Sequence, residues 1–293
     1  MDGALLAISA AAMLGLNTAV VRRSVLLASA YDGIVISILF AVPVFALLAY
    51  SSGQFQDFSV FSPLQYVILS IAGIMNFLGG RFSQFLAIQA VGANLTAPMR
   101  VLSALFGTIL GVYLLGEVVG TVRGLGISLL ILAPLIAFAR PPTVQLGSLQ
   151  IARGIFFGLT AAATYGGSTF LLRWVLAETS MYLLGAFVAH GATGIVLLLS
   201  LLQPSRARSI KQINKTAAKL FITTAIIMTI AQIFRFAALE STDTAVVAPL
   251  IETMTFFGLG AAFLFNRKTE AFSPLVLVGI FLAALGAIAI TIN

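Results

Sequence analysis

Two polar pairs stand out in a chain otherwise built from Ala, Leu, Ile, Val and Phe: Arg81 with Gln84, and Gln232 with Arg235. Residues three apart share one helix face, so each pair offers a guanidinium and a carboxamide to the same side. Arg100 and Glu252 add a cation and a carboxylate in neighbouring apolar stretches. An ionisable group at membrane depth costs roughly 2.5–3.5 kcal/mol on insertion scales, so it faces a cavity and finds a partner. Arginine keeps its charge and presents planar, bidentate donors suited to carboxylate or phosphate. If Glu252 neutralises Arg100, Arg81 and Arg235 remain to bind an anion. Two readings compete: structural ion pairs, and arginines near helix ends that snorkel to water.

The elements that hold these groups follow from composition. The 293 residues have a mean hydropathy of +1.10 and only 9% charged residues, too few to cover a soluble domain. This is an integral membrane protein, with the lipid bilayer as its first partner. The net charge of +7 fits basic loops at one membrane face and does not suggest nucleic acid. With no cysteine and one histidine, disulfides, thiolate catalysis and cysteine-bound metals are excluded. Nothing calls for a cofactor, and a fixed metal site is not expected. The first apolar run has Asp2 but no basic residue before it, so it reads as a first span and not as a cleavable signal.

Runs of about 20 apolar residues cross a bilayer as helices. Ten are expected, at 3–22, 32–50, 64–90, 94–115, 119–138, 153–173, 181–202, 216–239, 243–265 and 272–291. A shift of 151 residues then aligns the chain with itself. Gly3/Gly154, Ala10/Ala161, Ala11/Ala162, Ala12/Ala163, Gly15/Gly166, Thr18/Thr169, Arg22/Arg173, Tyr31/Tyr182, Phe85/Phe236, Ala87/Ala238, Ala97/Ala248 and Pro98/Pro249 match. At a shift of 153, Glu117/Glu270 and Gly126/Gly279 match. The expected domains are therefore residues 1–140 and 151–293, each with five spans. An odd number of spans inverts the second repeat, a plan typical of secondary transporters with a midplane site. Under that symmetry Arg81 lies over Gln232, and Gln84 over Arg235.

The two copies read "FLAIQAVGANLTAPM…VYLLGEVVGTVRGLGISLLIL" and "FAALESTDTAVVAPL…FLFNRKTEAFSPLVLVGIFLAALG". This pattern resembles the EamA-type transporters of the drug/metabolite transporter superfamily. The second copy departs from it: "FNRKTE" stands where "LGE" is expected, so its glutamate is Glu270 or absent. The resemblance implies an all-α fold of ten transmembrane helices, two inverted five-helix repeats around a central cavity lined by spans 1, 3, 4, 6, 8 and 9. It also implies a secondary transporter of small metabolites or drugs, not an enzyme.

The expected substrate site is Arg81, Gln84, Arg100, Gln232, Arg235 and Glu252, holding a small organic anion or zwitterion. The alternative is an exporter of hydrophobic cations; a membrane enzyme or structural subunit is more remote. Glu252 and His190 are candidate proton carriers, although a glutamate beside an arginine tends to stay ionised. Pro98 and Pro249 kink spans 4 and 9, shaping either packing or a hinge. Tyr165, Asn17, Gln89 and Trp174 are further cavity candidates, with core or interfacial packing competing. Arg22 and Arg173 read as span-boundary residues. Gly107/Gly111, Gly116/Gly120/Gly124 and Gly154/Gly158 let helices approach closely and offer a face for a homodimer. Lys and Arg count 2 on the side of the termini (Arg123, Arg173) and 11 on the other. The positive-inside rule then puts both termini outside the cytosol of a cell (inner) membrane.

Overall fold

The computed structural model describes residues 3–103, 105–106, 109–110, 120–137, 139, 146–176, 179, 181–241, 250–251, 253–270 and 272–291. Among them the helices are α1 (Gly3–Val25), α2 (Ala30–Ser51), α3 (Pro63–Ile74), α4 (Phe82–Val91), α5 (Ala93–Val101) and α6 (Thr121–Ala137). They continue with α7 (Ser148–Leu176), α8 (Tyr182–Ser200), α9 (Pro204–Lys211), α10 (Lys215–Ser241), α11 (Met254–Phe265) and α12 (Pro274–Thr291). A π-helical turn, Met75–Arg81, joins α3 to α4, so one continuous span runs from Pro63 to Val91. A helix satisfies its own backbone, which is what an apolar chain needs where no water can do so.

Six of these helices are long and apolar enough to cross a membrane, and Gly124–Ala137, Met254–Phe265 and Pro274–Gly286 are shorter apolar segments. Among the described residues these fall in nine of the ten expected stretches, so multiple apolar helical spans are present and the count of ten is not established. The expected fourth span is described as a regular helix only to Val101. Two connections carry more order than their polar sequences suggested. Gln54–Val60 forms a 3₁₀ helix and the basic segment forms α9. The sixth span starts at Ser148, five residues before the expected 153.

Start signals are local and conventional. Ser29 caps α2 by accepting from the Asp32 amide at 3.2 Å. Ser62 and Gln65 form a capping box on α3 with Pro63 in its first turn. α5 is different: Gly92, at φ 90°, turns the chain too sharply for any capping side chain of its own.

The packing obeys the repeat. α1 lies on α10 and α11; correspondingly α7 lies on the third span and on α5. α2 packs on α10 as α3 packs on α8. Equivalent helices also cross each other antiparallel. Along α2 and α8, Tyr31 meets Ser200, Ile38 and Val42 meet Gly194, and Phe45 meets His190. Along α6 and α12, Gly279 meets Ala133 and Gly286 meets Gly126. Equivalent helices that run in opposite directions are what an inverted repeat produces.

Glycines set the closest crossings. A Cβ on Gly15 would fall 2.6 Å from the Gly258 nitrogen, and one on Gly73 would fall 2.2 Å from the Ala189 carbonyl. Gly154 and Gly158 press on Val91 and Met99 as expected, whereas Gly120 and Gly124 face open space. Gly107, Gly111 and Gly116 lie outside the described residues.

Candidate functional site

The third span and α7 run antiparallel along a ladder of polar contacts. Asn76 donates to the Ser168 hydroxyl at 2.8 Å. Gly80 lies against the Tyr165 ring, where a Cβ would come within 2.7 Å. One turn on, the Tyr165 hydroxyl donates to Gln84 Oε1 at 2.8 Å. Residues 76, 80 and 84 recur every four positions, which keeps them on one side of a helix widened by its π turn.

Arg81 projects beside this ladder. It is 2% exposed, and its guanidinium sits 4.7 Å from the centroid of the Phe77 ring. Its Nε has no hydrogen-bond partner, and no carboxylate lies within ion-pair distance of it among the described residues. Phe77 also stacks on His190, at 4.1 Å between centroids. Arg81, Arg100 and Arg235 all act electrostatically on the Tyr165 hydroxyl, whose proton goes to Gln84 Oε1. That bond fixes the carboxamide with its NH₂ turned away from Tyr165.

A cavity of about 20 Å³ opens next to this cluster, with Gln84, Arg100, Thr18, Thr96, Asn94 and Thr255 as its polar wall. That volume holds about one water molecule.

Of the expected site residues, Gln84 and Arg100 line the cavity and Tyr165 bonds Gln84, while Arg81 and Arg235 lie within electrostatic range of Tyr165 but outside the cavity lining. Gln232 is buried on α10. His190 is buried between Phe45 and Phe77, with Nδ1 2.7 Å from the Ala186 carbonyl, a bond that makes Nδ1 the donor. Glu252 and Pro249 lie outside the described residues, whereas Pro98 sits buried inside α5. Trp174 is exposed and Gln89 donates to the Val25 carbonyl at 2.7 Å. Asn17 Nδ2 approaches the Met228 sulfur at 3.9 Å.

The boundary reading of Arg22 needs correcting. Arg22 is buried and spans three elements: its terminal nitrogens donate to Ile88 O at 2.6 Å, Gln89 O at 3.0 Å and Thr269 O at 2.9 Å. Its Nε lies 3.5 Å from Glu270 Oε1. Glu270 in turn accepts from the Ala93 and Asn94 amides at 2.8 and 3.0 Å, supplying the cap that α5 lacks. Burial raises the Glu270 carboxyl above the usual carboxylate range, opposed by the two amides and by Arg22. Next to it, Arg23 donates to Asn266 Oδ1 at 3.0 Å, and Asn266 Nδ2 to the Ala19 carbonyl at 2.8 Å. The sequence signal for this clasp was the survival of Arg22/Arg173 and Glu117/Glu270 in both repeats.

No curated protein matches the chain. Chains of solved structures do match; one crystal structure of a protein aligns with a TM-score of 0.66 at 14% identity, covering 98% of this chain and 94% of the other. At that identity the likeness concerns the fold. The EamA-like transporter family matches residues 1–139 and 152–292, one copy per repeat. With both repeats matched across nearly the whole length, the chain belongs to the EamA-like transporter family, and is a membrane transporter of the drug/metabolite transporter type.

Proposed function

We propose that this transporter moves a small organic anion, a carboxylate or phosphate compound or an amino acid held by its carboxylate, by alternating access. The observation that carries the reading is Arg81: a buried guanidinium whose Nε has no partner and which has no carboxylate at ion-pair distance among the described residues. A charge left so is expensive unless a ligand completes it. Arg100 and the NH₂ of Gln84, both on the cavity wall, supply further donors. Pairing an anion with several arginines in a water-poor cavity strengthens each bond relative to water. The basic end of the molecule, with Arg22, Arg23 and α9, is read as cytosolic, which leaves both termini on the other side.

Uptake into proteoliposomes holding the purified chain tests this, with panels of carboxylates, phosphates, amino acids and cationic dyes. Anions are expected to move or to compete, and Arg81→Gln or Arg235→Gln to abolish transport in a protein that still folds. Dye transport with no anion effect, or full activity in both variants, overturns it.

A further inference from the structure

We propose that the clasp of Arg22, Glu270 and Gly92 is the gate that shuts the cavity walled by Gln84 and Arg100 at the basic end of the molecule. Substrate can pass there only when Glu270 releases the α4–α5 turn. The inference rests on the transporter reading above but not on the anionic nature of the substrate.

Position is the first argument. Ala93 and Asn94 donate their amides to Glu270 and are also part of the cavity wall. The carboxylate therefore lies directly over the end of the cavity. Beyond it is the basic end of the molecule. Ser209 on α9 donates to both Asp32 oxygens at 2.9 and 3.1 Å, and Arg206 covers the Tyr31 ring at 5.2 Å. These contacts fold α9 onto the start of α2, at the end of the molecule where α1 finishes with Arg22 and Arg23.

Connectivity is the second. Arg22, the α4 carbonyls and the α5 amides belong to the first repeat; Glu270, Thr269 and Asn266 belong to the second. Alternating access moves one repeat against the other around a fixed site, so bonds that cross between repeats at one end must break when that end opens.

Chemistry is the third. Every group in the clasp is a guanidinium, a carboxylate, or a backbone amide or carbonyl at a helix end, and each of these is readily hydrated when exposed. Charges buried together gain from pairing about what they lose in hydration, which suits a contact that must form and break repeatedly. Gly92 lets the carboxylate come close: a Cβ there would sit 2.6 Å from Glu270 Oε2, on a backbone with φ 90°. The narrow cavity beneath is what a closed gate leaves.

The chain has no cysteine, so one placed on the cavity wall at Ala97 is a unique label. Proteoliposomes containing Ala97→Cys are treated with a membrane-impermeant maleimide, with no substrate present. Slow labelling from the basic end is expected, rising about tenfold when Glu270→Gln is added, as a lost state-specific contact shifts the open population. Arg23→Ala, at the exposed edge of the clasp, should give a smaller rise in the same direction and serves if Glu270→Gln does not fold. Tyr66→Phe, which breaks the bond to the Phe58 carbonyl within the first repeat and away from the clasp, should leave the rate unchanged. An unchanged rate in both clasp variants, or an equal rise in Tyr66→Phe, overturns the gate. Hydrogen exchange of the unmodified transporter adds a check without substitution: the Ala93 and Asn94 amides must open together. Labelling does not depend on what is transported, so a wrong substrate class and an inert clasp give different results.

Discussion

Arg22 and Arg81 are both arginines buried in apolar helices, and the fold treats them in opposite ways. Arg22 has a counter-ion: three carbonyls take its terminal nitrogens and Glu270 pairs with it at 3.5 Å, although its Nε, like that of Arg81, has no hydrogen-bond partner. Arg81 has an aromatic face, cationic neighbours acting on the same phenol, and an Nε with no partner. The first arrangement carries a counter-ion and holds elements together. The second has no counter-ion among the described residues. A buried charge by itself says little about function; whether a carboxylate of the protein meets it separates a tie from a candidate receptor.

That contrast can be broken in several ways. Glu270→Ala should cause the largest loss, about 3–5 kcal/mol, because it strands Arg22 and two amides in a buried site; thermal unfolding in detergent measures it. Arg81→Met should do the reverse: stability is kept or raised, while transport falls by about a hundredfold or more, some 2.7 kcal/mol at 1.36 kcal/mol per decade. If Arg81→Met unfolds the protein as badly as Glu270→Ala does, the two arginines are not different in kind.

Gly92→Ala should cost about 1–3 kcal/mol, since it combines a left-handed backbone with a methyl group pushed into the Glu270 carboxylate. Asn76→Ala removes one buried bond and leaves the Ser168 hydroxyl its own donor bond to Tyr165 O; about 1 kcal/mol is expected, from melting curves.

The smallest effect concerns pH. Because the Glu270 carboxyl is raised in the folded state, the folded chain binds more protons than the unfolded one between the ordinary carboxylate value and the raised one. Stability should therefore fall as pH rises through that window. Melting temperatures across acid pH should show this slope in the native chain and not in Glu270→Gln.

Much of the architecture was legible because it is written twice. The constant offset between repeats marked the two-copy plan, and Gln84, singled out with Arg81, lies on the cavity wall. The clasp was harder to see. Arg22 lies at the end of an apolar run, where a basic residue needs no explanation, and its partners are 66 to 248 residues away in sequence. Tyr165 was ambiguous for a related reason: a tyrosine in a greasy helix packs by default, and only the fold shows its hydroxyl on Gln84 beside three cations. Glu252 lies outside the described residues; among those described, the ion pair is Arg22–Glu270.

The π turn at Met75–Arg81 has a consequence for how this span can change. A turn that closes on the fifth residue amounts to one inserted residue, a phase slip of about 100° relative to a regular helix. Deleting any single residue between 75 and 81 would restore regular winding while leaving α3 anchored against Ala189 through Gly73. Everything from Phe82 onward would swing round by that angle, carrying the Gln84 carboxamide off the Tyr165 hydroxyl. The span thus works like a key cut in two sections, with the angle between the sections held in seven residues.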